Sequence, residues 1–249
     1  MEGHGDRKSL YFDLLEDKSD HSTLAQRLVE STGCPVAVPN YRLSPRSADQ
    51  GPPFRHPGHS EDLLQFLHFI LTWQPDNESI ASDANVLFDR SKLYLIGHSC
   101  SAHMLSSIIL DSSHITPSLT PNSDLLDAVQ GIILSEGIYD IDRLLASFPD
   151  YREMFIVNAF GDLPSYVDFS VATYRERPRA EHTKYRWIII HSSGDTLVDS
   201  VQSEAMVDHL KSISGPSAVA SSFRELDQEH DAILQAPQYI QLIADFISS

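Results

Sequence analysis

The chain has 249 residues, of which 41% are hydrophobic and 21% are charged, and this composition predicts one folded domain over residues 1–249 rather than a disordered or fibrous chain. Its 18 basic and 35 acidic residues give a formal net charge of −17, which disfavours nucleic acid and anionic membrane surfaces as partners. The sequence has only two cysteines, Cys34 and Cys100, and no apolar run of signal-peptide or transmembrane type, so we expect a cytoplasmic protein in a reducing compartment.

Strand-like runs and helical periodicity alternate along the first half of the chain. A helix is predicted over residues 21–29, closed by Gly33, and a buried strand over 36–38. After a loop rich in Pro, Ser and Gly, an apolar stripe predicts a helix over 61–73, and a strand is predicted over 93–96. This alternation is typical of βα units around a mostly parallel sheet.

The strand over 93–96 runs into Gly97-His98-Ser99-Cys100-Ser101 and then into a predicted helix over 102–110. That order of strand, small-residue turn and helix is the context of a nucleophile elbow, in which Ser99 would stand above the sheet. The usual pattern ends in Gly, whereas this one ends in Ser101. The alternative is an ordinary strand-to-helix turn.

The second half of the chain continues the alternation and adds an insertion. From about 139 to 185 no strand pattern is present and aromatic residues are dense, which predicts a helical insertion that covers a site. The remaining elements are predicted strands over 132–134, 187–190 and 222–226 and predicted helices over 201–210 and 236–247.

Two later residues fit the acid and the base that a serine nucleophile needs, in the chain order Ser, Asp, His. Asp195 follows the strand over 187–190, and His230 follows the candidate strand that ends at Leu226. Imidazole can accept the Ser99 proton near neutral pH, and a carboxylate can fix its tautomer. The alternatives are a turn role for Asp195 and a surface role for His230. We interpret the acids Glu229 and Asp231 as solvated.

An oxyanion hole would combine the Cys100 N–H with an N–H from an early loop, commonly marked by His-Gly-Gly. The candidate is His4-Gly5-Asp6, which makes Gly5 the second donor. Because no apolar strand precedes His4, the N-terminal strands of the fold are expected to be missing, which predicts either weak catalysis or a sequence that is incomplete at its start. The alternative is that this segment has no role.

No metal or other cofactor is expected. His56 and His59 flank Pro57-Gly58, but neither a cysteine nor a carboxylate stands at metal-ligand spacing from them. His98 and His103 flank the elbow and are expected to serve packing or hydrogen bonding.

Several motifs together resemble the kynurenine formamidases of fungal type, within the α/β-hydrolases. They run from residue 40 onward: Asn40-Tyr41-Arg42-Leu43-Ser44-Pro45, Arg55-His56-Pro57, Gly97-His98-Ser99, Glu136-Gly137-Ile138-Tyr139-Asp140, Leu144-Leu145, Phe148-Pro149-Asp150-Tyr151, His191-Ser192, Asp195 and His230. The resemblance implies an α/β-hydrolase fold, with a mostly parallel sheet and helices on both faces. It also implies a triad of Ser99, Asp195 and His230 and hydrolysis of N-formyl-L-kynurenine to L-kynurenine and formate in tryptophan degradation.

The aromatic insertion agrees with a small-molecule substrate such as an aryl formamide or ester. Tyr139, Tyr151, Phe155 and Phe160 could contact an aryl ketone, or they could form the core of the insertion. The sequence singles out no arginine for the substrate carboxylate and leaves the oligomeric state open. Two further functions remain alternatives: a carboxylesterase of broad specificity, and a non-catalytic relative that binds a ligand or partner.

Overall fold

A four-stranded parallel sheet lies at the centre of the computed structural model, which describes residues 17–45, 51–74, 88–178 and 185–249. Its strands stand in the order β1-β3-β5-β6, and a separate antiparallel pair is formed by β2 and β4. The strands are β1 (Leu93–His98), β2 (Leu110–Asp111), β3 (Val129–Ser135), β4 (Arg175–Glu176), β5 (Arg186–Ile190) and β6 (Val219–Ser222).

Helices connect these strands, as parallel pairing requires. The predicted helix closed by Gly33 is confirmed, since this glycine adopts a φ of 70° directly after the helix. The α-helices are α1 (Ser22–Thr32), α2 (Gly58–Thr72), α3 (Cys100–Ile109), α4 (Ser123–Ala128), α5 (Ile141–Ser147), α6 (Val157–Phe160), α7 (Ser200–Ser214) and α8 (Pro237–Ser248). None of the helices in the described ranges is long and apolar enough to cross a bilayer.

The sheet is covered on both faces because its side chains alternate. On β3, Ile132 and Leu134 join a core formed with α2, α3 and α7. Ile133 of the same strand points the other way, into a core with α1 and α8. Strands buried on both faces consist of continuous apolar runs, which explains why these segments were recognisable in the sequence.

The insertion between β3 and β5 is largely helical, as predicted, and has its own small core. Ile141, Leu144, Ile156 and Tyr166 are buried together there. A π-helical turn over Arg152–Ile156 leads directly into α6. The two-residue strand β4 is the one strand in the described part of this insertion.

Two predicted strands differ from the structure. Residues 36–38 lie in a segment without a strand in the described chain, because no neighbouring backbone pairs with them there; Val36 packs at the edge of the α1–α8 core. The strand predicted over 222–226 is instead β6, which ends at Ser222. Glu225 explains the early end, since its carboxylate accepts hydrogen bonds from the Ser222 hydroxyl and the Arg224 N–H and closes a turn.

Candidate active site

Ser99 lies at the sharp turn between β1 and α3 with φ 54° and ψ −122°, a conformation that is strained for a residue with a side chain. Its N–H donates to the Ser135 carbonyl at the end of β3. A Cβ on Gly97 would come within 2.9 Å of the Ala102 nitrogen and the Ser101 carbonyl, so this position requires glycine. These features are those of a nucleophile elbow.

His230 and Asp195, although 35 residues apart, meet at the carboxyl edge of the sheet. His230 begins a 3₁₀ turn and is 5% exposed. Its Nδ1 lies 2.9 Å from Asp195 Oδ2. The other carboxylate oxygen, Oδ1, accepts the N–H groups of Leu197 and Val198 at 2.8 and 3.0 Å. Asp195 is therefore fixed by its own loop and aimed at the imidazole.

The loops that carry these two residues are tied together by hydrogen bonds. The N–H and the hydroxyl of Ser193 both donate to the Leu226 carbonyl, and the Ser192 hydroxyl donates to the Gln228 carbonyl. Between them, a Cβ on Gly194 would lie 2.1 Å from the Asp227 carbonyl oxygen, so the two backbones touch at this point. The distance from Asp195 to His230 depends on this contact.

A second carboxylate, which the sequence analysis did not assign to the site, also contacts His230. Glu136 directly follows β3, has φ 49° and is 0% exposed. Its Oε2 lies 3.2 Å from His230 Nδ1, and its Oε1 accepts the Ser192 N–H at 3.1 Å. An acid directly after a buried strand is the same signal that identified Asp195, and it could have identified Glu136.

The charges of these three groups are strongly coupled. Burial raises the pKa of Glu136 to about 7. Burial alone would raise the pKa of Asp195, but the hydrogen bond and attraction of His230 and the two loop N–H groups outweigh it, and the pKa lies below its usual range. Burial likewise opposes charge on His230, yet the hydrogen bonds and attraction of the two carboxylates outweigh it and raise its pKa. The two carboxylates therefore stabilise the imidazolium, the form that His230 takes when it accepts a proton.

The imidazole also lies beside the elbow. The ring centroids of His98 and His230 are 4.6 Å apart, and His98 directly precedes Ser99. In the described part of the chain the Ser99 hydroxyl makes no hydrogen bond.

His98 belongs to a polar chain that crosses the end of the sheet. Its Nδ1 contacts the Ser135 hydroxyl at 3.0 Å, and that hydroxyl contacts the Tyr239 hydroxyl at 2.9 Å. Its Nε2 lies 3.5 Å from Asp231 Oδ1. Asp231 is largely solvated, as interpreted from the sequence, but it also has this partner, whereas the exposed Glu229 accepts a hydrogen bond from the Thr196 hydroxyl.

Of the two predicted oxyanion donors, Cys100 is the first residue of α3, where a backbone N–H points out of the helix start. Gly5, with its neighbours His4 and Asp6, lies outside the described residues. The sulfur of Cys100 is 3.5 Å from the Tyr41 hydroxyl. Tyr41 also lines a hollow of about 550 Å³ along α2 that contains none of the predicted site residues.

The aromatic residues of the insertion divide into two sets. Tyr139 is 0% exposed and packs in the main core rather than in the core of the insertion, so it takes neither of the two roles that the sequence left open for it. Tyr151 is half-buried, stacks on Phe148, contacts Phe155 and donates its hydroxyl to the Leu197 carbonyl in the Asp195 loop. Tyr151 therefore contacts the loop that carries the acid, and Phe155 lies against Tyr151.

Neither His56 nor His59 belongs to a group of three or more metal-type side chains in the described ranges. His56 packs against His103, Phe160 and Phe169, and burial lowers its pKa to about 3. His59 contacts the Ser44 hydroxyl. In the described ranges, the metal-type side chains that come together are His98, His230 and Asp231, and Glu136, Asp195 and His230; both sets contain the imidazole already bonded to Asp195.

Comparison with solved structures agrees with this architecture. An esterase from Pyrobaculum calidifontis superposes with a TM-score of 0.60 at 15% identity, covering 93% of this chain and 72% of that one. Carboxyl esterase 2 of Tuber melanosporum gives a TM-score of 0.59 at 17% identity, covering 93% of this chain and 73% of that one. The chain has the α/β-hydrolase fold, with the elbow, the acid loop and the histidine loop at its carboxyl edge.

Within that class, the chain is similar in sequence to kynurenine formamidases. It is 27% identical over 179 residues to the kynurenine formamidase of Meyerozyma guilliermondii, covering 71% of this chain and 59% of the relative. It is also 27% identical over 184 residues to a kynurenine formamidase-like hydrolase of Fusarium equiseti, covering 71% of this chain and 57% of the relative. The chain thus spans less than two thirds of the length of either relative. No family model matches it.

Proposed function

We propose that the chain is a serine hydrolase and that its substrate is N-formyl-L-kynurenine, which it cleaves to L-kynurenine and formate. The observation that carries the proposal is the buried His230–Asp195 pair, 2.9 Å apart, beside a serine held at positive φ on an elbow. The similarity to two relatives named after kynurenine formamidase supports the choice of substrate.

In the first half of the proposed reaction, His230 accepts the Ser99 proton at Nε2 while the hydroxyl oxygen attacks the formyl carbon. The Cys100 N–H, at the start of α3, stabilises the oxyanion that develops on the formyl oxygen. Collapse of this intermediate breaks the bond between the formyl carbon and the aryl nitrogen. The imidazolium gives its proton to the leaving amine, which departs as L-kynurenine.

In the second half, water replaces the amine. His230 accepts a proton from water, the resulting hydroxide attacks the formyl ester on Ser99, and the ester bond breaks to release formate while the imidazolium returns the proton to Ser99. Asp195 holds the imidazole in the tautomer with its proton on Nδ1 and stabilises each imidazolium as it forms. Its two loop N–H bonds keep it ionised and in place.

The aromatic residues beside the acid loop suit the aryl ketone of this substrate. Tyr151 and Phe155 are half-buried and contact each other with ring centroids 4.9 Å apart, next to the Asp195 loop. Aromatic side chains in such positions bind a planar ring through offset or edge contacts. We assign these two residues, rather than the buried Tyr139, to the aryl side of the substrate.

The test compares turnover of N-formyl-L-kynurenine with turnover of p-nitrophenyl acetate by the purified chain, with Ser99→Ala as the matched control. We expect release of kynurenine, with kcat/KM well above that for the ester, and loss of both activities in the control. Ester hydrolysis without formamidase activity would replace the proposed substrate by the carboxylesterase alternative. Absence of both activities would overturn the proposal in favour of a non-catalytic relative.

A further inference from the structure

The Nδ1 edge of His230 faces two carboxylates, whereas the proposed mechanism uses only one of them. Asp195 Oδ2 and Glu136 Oε2 lie 2.9 and 3.2 Å from the same nitrogen. The neutral imidazole donates its one proton there to Asp195 Oδ2, and the buried Glu136 Oε2 faces the same nitrogen without a hydrogen-bond partner among the described residues. When a second proton arrives at Nε2, the cation faces both acids.

Glu136, like Asp195, is held in this position by backbone hydrogen bonds. It comes from the end of β3, while Asp195 comes from the loop after β5, so two different strands supply the two acids. The Glu136 N–H donates to the Ile190 carbonyl at 3.0 Å, and its Oε1 accepts the Ser192 N–H at 3.1 Å. A non-glycine residue at φ 49° is uncommon, and such strain gathers at functional sites.

We propose that Glu136 is a positioning residue, a second acid on His230 that raises the basicity of the imidazole and partly replaces Asp195 when that residue is neutralised. This inference rests on the proposed hydrolase function. It predicts that either acid can support His230. Asp195, which makes the shorter contact, should do so more strongly than Glu136, which makes the longer one.

The charged and titratable surroundings are consistent with this role. Burial raises the pKa of Glu136 to about 7, so its carboxylate becomes ionised as the pH passes through neutrality and then adds to the attraction on the imidazolium. The other groups that act electrostatically on Glu136, Asp195 or His230 are His98 from β1, Tyr139 from the insertion, Tyr151 from the insertion, His191 from the acid loop, Asp231 from the histidine loop and Tyr239 from α8.

The first experiment measures the pKa of His230 directly, by NMR titration of the imidazole in the wild-type chain, in Glu136→Gln and in the control Glu229→Gln, with His230→Gln to assign the signal. Glu229 neighbours His230 in sequence but its carboxylate is exposed and bonds to Thr196. We expect the pKa to fall by roughly 1 unit or more in Glu136→Gln, the size expected for loss of one opposite charge at this distance. An unchanged pKa in a folded Glu136→Gln would overturn the inference.

The second experiment measures kcat/KM as a function of pH and compares the activities of single and double variants. In Glu136→Gln the acidic limb of kcat/KM should move to lower pH than in the wild type, and in Glu229→Gln it should not. Asp195→Asn should retain at least tenfold more activity than the double variant Asp195→Asn/Glu136→Gln, in which we expect the loss of about 10⁴-fold that removal of a triad acid causes. Equal rates in the single and double variants would contradict a shared acid role.

These results separate the inference from the proposed function. A wild-type chain inactive on both substrates with a His230 pKa that does respond to Glu136→Gln would refute only the hydrolase proposal. An active wild-type chain with an unresponsive His230 pKa would refute only the role of Glu136. Circular dichroism spectra and thermal midpoints close to the wild-type values verify that each variant compared is folded.

Discussion

Ser99 is the residue on which the account depends most. It carries the positive φ of the elbow, which the structure retains at the cost of backbone strain, and it lies between the end of β1 and the start of α3. The elbow was predictable from the sequence because all of its signals are local: a strand, small residues at Gly97 and Ser101, and a helix. Glu136 follows a buried strand as Asp195 does, but it was not predicted as a site residue, because the expected chain order of Ser, Asp and His calls for only one acid, after the serine and before the histidine.

Replacing Ser99 by alanine removes one hydroxyl and should leave the fold intact. We expect turnover of both the formamide and the ester to fall to background, because no nucleophile remains at the elbow. The thermal midpoint should remain close to that of the wild type, since this hydroxyl makes no hydrogen bond in the described structure. Esterase activity retained in a folded Ser99→Ala would contradict the assignment of Ser99 as the nucleophile.

A second prediction ranks the effects of neutralising Asp195 and Asp231, the two acids that follow the last strands. Asp195→Asn should lower kcat by orders of magnitude, because an amide can favour the wrong imidazole tautomer. Asp231→Asn should cost much less, since Asp231 contacts His98 rather than His230 and is largely solvated. Steady-state kinetics of both variants test this ranking, and a larger loss in Asp231→Asn would mean that the wrong carboxylate has been assigned.

The loops after β5 and β6 act as one element, because their backbones touch. Gly194→Ala would place a Cβ 2.1 Å from the Asp227 carbonyl oxygen, and neither backbone can yield without moving Asp195 relative to His230. We expect activity to fall at least tenfold, since small misplacements of catalytic groups are costly in rate. The measurement is kcat/KM alongside the free energy of unfolding.

The matched control for that variant is Gly33→Ala at the end of α1. No atom lies within 4 Å of a Cβ there, but φ is 70°, so the substitution should cost about 1 kcal/mol of stability through backbone strain alone. Activity should be unchanged because no atom of the proposed site lies within 4 Å of a Cβ at Gly33. A Gly194→Ala variant as active as Gly33→Ala would show that the two loops are not coupled as described.

Element boundaries were predicted best where hydrophobic periodicity was long. Helices α2, α7 and α8 lie where the apolar stripes placed them, whereas β6 ends at Ser222 because a carboxylate closes a turn that an apolar pattern cannot reveal. The Val36 segment was also predicted as a strand, but a strand needs a paired neighbour, and pairing is a property of the fold rather than of the segment.

For the whole molecule, stability at acid pH should depend on His56. Burial lowers its pKa to about 3 in the folded chain, against about 6.5 in the unfolded chain, so below 6.5 the unfolded state binds more protons. The stabilisation is therefore complete above pH 6.5 and is lost as the pH falls toward 3. Between pH 6.5 and pH 5 the free energy of unfolding should fall by about 2 kcal/mol because of this group.

His56→Phe keeps a ring in the same aromatic cluster and cannot be protonated. Urea unfolding at neutral pH and at pH 5 should show a smaller loss of stability in this variant than in the wild type, by about 2 kcal/mol. The exposed His114, replaced in the same way, serves as the control. Equal losses in the wild type and in His56→Phe would mean that His56 is not buried in its neutral form.

At this scale the sequence predicted the α/β-hydrolase class, since alternating strands and helices with an elbow specify few other architectures. The order of the strands and the meeting of Glu136, Asp195 and His230 required the structure. The single domain over 1–249, the cytoplasmic location and the donor at Gly5 stay predictions.

The central claim is that His230 activates Ser99, and labelling with a fluorophosphonate tests it most directly. The reagent reacts with an activated serine hydroxyl and leaves a covalent adduct that peptide mass spectrometry can locate. We predict one adduct on the peptide that contains Ser99 in the wild-type chain, and none on that peptide in Ser99→Ala or His230→Gln. A folded wild-type chain that remains unlabelled, or one that carries its adduct on another residue, would contradict the account.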